Sequence, residues 1–183
     1  MEPTDAQVVD DTRRWLERAV IGLNLCPFAK SVHVKAQVHY AVSAATGWND
    51  LLADLARELD GLLAQDADVR ETTLLMAPHA LQDFIEFTGF LDEAQRLLDR
   101  RGLEGTIQLA SFHPRFQFAG TEADDITNCT NRAPYPTLHL LREDSITRAV
   151  QAFPDAADIY ETNIATLRRL GPQGWADVLK GER

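Results

Sequence analysis

The stretch Thr72–Ala77 reads TTLLMA and is followed directly by Pro78-His79. A short apolar run with no polar alternation predicts a strand buried on both faces, because a strand with one wet face alternates. On its amino-terminal side, Trp48, Leu51, Leu52, Leu55, Leu59, Leu62 and Leu63 recur at helical spacing behind Thr46-Gly47 and form one apolar stripe. On its carboxyl side, Leu81, Phe84, Ile85, Phe90, Leu91, Ala94, Leu97 and Leu98 predict another helix, broken near Thr88-Gly89 and ended by Gly102. Pro78 suits the first position of that helix, which places His79 in its first turn.

Working outward, Val32–Val42 alternates apolar with polar and predicts a half-buried strand with His33 and His39 on the solvent side. Thr106–Phe112 predicts a third strand, and Leu138–Leu141 fits a strand or a helical turn equally well. Helices are expected over residues 5–23, ending at Gly22-Leu23-Asn24 before Pro27, and from Asp144 or Ser145 to about Phe153. A last helix restarts at Pro154-Asp155 and is closed by Gly171, and residues 121–136 form a turn-rich excursion with Thr121 and Asp124 at the start of a short helix. Strands joined by crossover helices imply a mostly parallel sheet. The expected fold is therefore α/β: three or four mostly parallel strands with helices packed on the sheet, one domain over residues 1–183 with an ordered core from about residue 5 to 175.

The chain has 183 residues, 45% of them apolar, and a net charge of −10. That is enough apolar material for a real core, and the negative field disfavours nucleic acid and anionic membrane surfaces as partners. The acidic amino terminus and the lack of a long apolar run point to the cytoplasm. In that compartment Cys26 and Cys129 are expected as free thiols, and the Asn128-Cys129-Thr130 sequon has no meaning.

In a parallel sheet, ligands bind beyond the carboxyl ends of the strands. Those ends hold Ser43 and Thr46, then Pro78 and His79, then His113 and Arg115. His113, in the stretch SFHPRFQFAG (residues 111–120), is a candidate general acid or base. The run ITNCTNRAPYPTLHLLR (residues 126–142) carries no acid, yet it holds Arg132, His139 and Arg142. Its positive field, with Arg115, suits a carboxylate or phosphate held by paired hydrogen bonds. Pro134 and Pro136 stiffen the backbone around Tyr135 and present Asn131 and Arg132. The structural alternative is that the arginines pair with Glu122, Asp124, Asp125, Glu143 or backbone carbonyls.

Cys26, in the stretch NLCPF, is a second catalytic candidate if Lys30 or His113 lowers its thiol pKa. A loop from a helix into a parallel strand lies at the edge opposite the strands' carboxyl ends, however, which separates Cys26 from His113. Cys26, Cys129, His113 and His139 are metal-ligand types at spacings that match no compact zinc pattern. No metal ligand is assigned, and the cofactor is left unknown.

Four stretches, WLERAVIGLNLCPFAKSVHVK, ASFHPRFQFAG, TNRAPYPTLHLLRE and NIATLRRLG, together resemble the uncharacterised bacterial family called domain of unknown function 1415. The resemblance runs from about Asp5 to Trp175 and implies a full-length member, with no activity or site residue to carry over.

The expectation is a small cytoplasmic enzyme or ligand-binding domain acting on an anionic small molecule. His113 serves as acid or base with Cys26 as a further thiol, Arg115 and Arg132 clamp the anion, and Asn131, Tyr135 and His139 complete the ligand-binding set. A metal-binding protein and a non-enzymatic interaction module are the alternatives, and the oligomeric state is left open.

Overall fold

The computed structural model describes residues 2–152 and 158–182. Four strands, β1 (Val38–Val42), β2 (Thr72–Met76), β3 (Ile107–Phe112) and β4 (Thr137–Arg142), form one sheet in the order β1-β2-β4-β3. β2 is buried along its whole length, as its unbroken apolar run requires. The α/β class holds, but the mostly parallel sheet is corrected: β1–β2 is parallel, whereas β2–β4 and β3–β4 are antiparallel. The crossover argument set the direction of β1, β2 and β3, which run the same way. What it missed was that the undecided Leu138–Leu141 stretch is β4, inserted the other way between β2 and β3.

One face of the sheet is covered by α3 (Trp48–Leu63) and α4 (Phe84–Arg100). Leu51, Leu55, Leu59 and Leu62 of α3 are fully buried beside Phe87, Phe90, Ala94 and Leu98 of α4. Each such leucine or phenylalanine contributes about 1.5–3 kcal/mol over exposure. α4 is continuous, which corrects the expected break at Thr88-Gly89. Gly89 serves a close approach instead: a Cβ there would lie 3.3 Å from the Trp48 ring. Pro78 and His79 likewise do not open α4. Asp83 does so, its Oδ1 accepting from the backbone N–H groups of Ile85 and Glu86. Before it, residues 78–82 form a turn with Leu81 in the left-handed region at φ 58°.

The opposite face is covered by α1 (Asp5–Trp15), which continues as a π-helical segment (Leu16–Ile21), and the long α6 (Ile159–Lys180) packs against that segment and against residues 126–131. Trp15, Leu16, Ala19 and Val20 pack against Val38, Tyr40, Phe112, Val178 and Trp175. α6 does not stop at Gly171 as expected: the backbone kinks there and the helix runs on to Lys180. The expected restart at Pro154-Asp155, and Phe153, lie outside the described residues.

The alternating stretch Val32–Val42 is only half a strand. Ala29–Val34 forms the short helix α2, Ala36 turns at φ 55°, and β1 begins at Val38. His33 therefore sits on a helix, 3.2 Å from Glu17, while His39 keeps an exposed strand position. Strand length is limited by the partner, and β2 offers register only from Val38↔Thr72 to Val42↔Met76. Beyond that edge Val34 is 73% exposed, so the alternation had no sheet to read it. The excursion holds a 3-10 helix (Ile126–Asn131) capped by Asp125, in place of the predicted start with Thr121 as cap and Asp124 in the first turn. α5 (Glu143–Ala152) follows β4 directly.

Candidate functional site

The carboxyl end of β3 is a bonded corner. His113 is fully buried against Phe84 and Phe87, with its ring centroid 4.9 Å from that of Phe87, and Phe116 packs on Phe84 behind it. Its Nε2 lies 2.9 Å from the Leu81 carbonyl, and the Arg115 backbone N–H donates to its Nδ1 at 2.9 Å. A carbonyl oxygen only accepts, so the proton is on Nε2 and the lone pair of Nδ1 is already used. Burial pushes the imidazole pKa down, which keeps the ring neutral. His113 thereby also rewards the left-handed turn at Leu81.

The neighbouring candidates join this corner. Asn131 donates from Nδ2 to the Ser111 carbonyl and accepts the His113 backbone N–H at its own carbonyl. Arg115 donates to the Gln82 carbonyl and lies 3.8 Å from Asp83. The fully buried Asn128 accepts from the Phe118 N–H and the Thr121 hydroxyl and donates to the Glu122 carbonyl. Arg142 caps the end of α3, donating to the carbonyls of Leu62 and Gln65.

Beyond this corner lies a concavity of about 530 Å³ between α1, α6, the His113-Pro114 turn and the Asn131–Pro134 loop. Three guanidiniums line it: Arg14, Arg18 and Arg132. Arg132 spends Nε on the Phe116 carbonyl at 3.1 Å and Nη2 on the Ala123 carbonyl at 2.5 Å. Among the described residues no carboxylate pairs with it. Arg18 donates from Nη1 to the Leu179 carbonyl at 2.7 Å, at the end of α6. The guanidinium fits there because position 181 is glycine: a Cβ would come within 2.8 Å of Arg18 Cζ.

Arg14 pairs with Asp11 Oδ1, and Asp11 Oδ2 accepts from the Tyr135 hydroxyl at 2.8 Å. Burial and the neighbouring Asp11 push the Tyr135 pKa up to about 12, so the phenol stays protonated and holds Asp11 in place. Trp15 and Trp175 supply flat walls. The indole N–H of Trp15 is buried with no partner among the described residues. Of the sequence candidates, Arg132 faces this concavity and Tyr135 acts behind it. Arg14 and Arg18 were missed, although their i, i+4 spacing with Asp11 one turn earlier puts all three on one helix flank.

A second cavity, of about 680 Å³, opens on the same side of the sheet between α2 and α5, and Trp15 borders both. Cys26 and His139 line it, and His113 does not. Burial pushes the Cys26 thiol pKa up, partly offset by hydrogen bonds from the Phe28 and Ala29 backbone. Cys129 lies elsewhere, packed with Leu25 and Leu167. Among the described residues no group of three or more His, Cys, Asp or Glu side chains is placed to hold a metal ion. No helix among them is long and apolar enough to cross a membrane.

Fold and site together define an α/β protein with an arginine-lined concavity at the carboxyl end of its third strand. The chain belongs to the family described as "Protein of unknown function (DUF1415)", whose model matches residues 7–177. No curated protein and no solved structure matches it.

Proposed function

We propose that this protein binds a small anion, a carboxylate or phosphate on a flat organic body, in the concavity of Arg14, Arg18 and Arg132. One observation carries the reading: in a chain of net charge −10, three guanidiniums share one cavity with a single carboxylate. That carboxylate is already held by Tyr135 and Arg14, so the local field is left positive. Guanidinium forks match carboxylate and phosphate oxygens, and indole faces favour a planar body.

In this reading His113, Arg115 and Asn131 fix the loop that presents Arg132, and the lining supplies donors and aromatic walls rather than a nucleophile. The activity proposed is therefore binding, and a cytoplasmic location goes with it, supported by two free thiols. Calorimetric titration with phenyl phosphate and benzoate tests it. Saturable binding is expected that weakens with added salt and is lost in the Arg14→Gln/Arg132→Gln double variant. Equal binding by a correctly folded double variant would overturn the reading.

A further inference from the structure

The second cavity carries an independent inference. Its walls are largely apolar, including Leu16, Val20, Leu74, Phe112, Leu141 and Ile146. In its floor, on β4, His139 Nε2 lies 2.7 Å from the Thr72 hydroxyl oxygen. That hydroxyl also lies 2.6 Å from the Leu140 carbonyl, a contact that requires a hydrogen between the two oxygens. Threonine has one hydroxyl hydrogen, and the carbonyl has none to give. The Thr72 hydrogen therefore goes to Leu140, and the His139 bond must be donated by Nε2–H.

The tautomer of His139 follows from that count. A neutral ring with its proton on Nε2 leaves Nδ1 as a bare acceptor, and among the described residues nothing donates to it. Burial pushes the pKa of this imidazole down to about 4, so the acceptor is kept at neutral pH. Lys35, Arg142 and Arg148 stand against Asp68 and Glu71 in the lining, with the Arg142 guanidinium already spent on the Leu62, Gln65 and Arg70 carbonyls.

We infer that the second cavity binds an apolar small molecule bearing a hydroxyl group, whose hydrogen is accepted by His139 Nδ1. The volume is within the range of small-molecule sites, which combine apolar walls with a few placed polar groups. The hydroxyl satisfies the Nδ1 acceptor, and the apolar body replaces water against the walls. The Cys26 thiol, held neutral by its burial, contributes a soft wall beside it.

The probe is 4-octylphenol against its methyl ether, which keeps the shape and the oxygen but lacks the hydrogen. Calorimetry is expected to show the phenol bound roughly tenfold more tightly than the ether. His139→Leu is expected to erase that preference, and Ala149→Trp, which fills the cavity from α5, to abolish both bindings. Long-range proton–nitrogen NMR of His139 reads the tautomer directly: Nδ1 bare in the free protein, shifted toward a hydrogen-bonded frequency on adding the phenol. Equal affinity for phenol and ether, an unchanged preference in folded His139→Leu, or a proton on Nδ1 in the free protein would each overturn the inference. Phenyl phosphate binding in the first concavity is independent of every one of these outcomes.

Discussion

His113 and His139 are both partly or wholly buried histidines that carry their proton on Nε2, and they differ in what happens at Nδ1. At His113 the Arg115 backbone N–H takes that lone pair, so the ring ties the Leu81 turn to the Arg115 backbone. At His139, which lines a cavity, no donor among the described residues takes that lone pair. The contrast teaches that position in a fold does not establish availability. His113 stands where an α/β sheet usually places chemistry, yet its hydrogen-bonding capacity is spent inside the protein. His139 lies in mid-strand, facing the sheet surface that α2 and α5 leave open.

The largest expected effect sharpens this contrast through stability. His113→Ala removes a buried ring and leaves the Leu81 carbonyl and the Arg115 N–H unpaired, at a cost of about 4 kcal/mol in denaturant unfolding. His139→Leu keeps Thr72 bonded to Leu140 and is expected to cost no more than about 1 kcal/mol. Equal costs for the two variants would break the comparison.

The next effect is on pH. His139 has a folded pKa near 4 against an ordinary value of 6.5, lowered by burial, so between these values the unfolded chain binds a proton that the folded chain refuses. The resulting penalty, on the order of 3 kcal/mol, is absent above the ordinary value and grows as the pH falls toward 4, so stability held at neutral pH is lost across that window. His113 and His39 are shifted in the same direction, each chiefly by burial, and add to the same slope. Unfolding curves taken across that window should show His139→Leu with a shallower slope than the parent, by about one proton.

Smaller effects separate the two cavities. Arg132→Gln is expected to weaken phenyl phosphate roughly tenfold, the loss of a charge-assisted pair, while leaving 4-octylphenol binding unchanged. A matching loss for both probes would mean that the two cavities are one site. Smallest of all, Tyr135→Phe releases the brace on Asp11 and is expected to cost about 1 kcal/mol of stability. Its effect on anion affinity, read by the same titration, should stay below that of Arg132→Gln because Arg14 keeps its charge.

Much of the fold was legible in periodicity. The stripes of α3 and α4, the buried run of β2 and the β3 segment were all readable because burial repeats at the period of the element. β4 was not, since Leu138–Leu141 is too short to separate strand from helix until the gap between β2 and β3 exists to receive it. The start of β1 was misread for the same reason, because alternation marks a strand only where a partner supplies hydrogen bonds. Among the candidate residues, Arg132 was legible as a basic group in an acid-free run. Arg14 and Arg18 were hidden on a helix flank that looked solvated until α6 and the Asn131–Pro134 loop closed over it.

The amino-acid sequence alone determined the α/β class, the direction of three strands and the family, because these depend on local period, on crossover length and on residue identities along the chain. The tertiary structure decided the antiparallel insertion of β4, the meeting of three guanidiniums from distant segments, and which histidine keeps a lone pair unused. Those are matters of which donor reaches which acceptor across the fold, and a hydrogen bond acts only over a distance that folding alone can close.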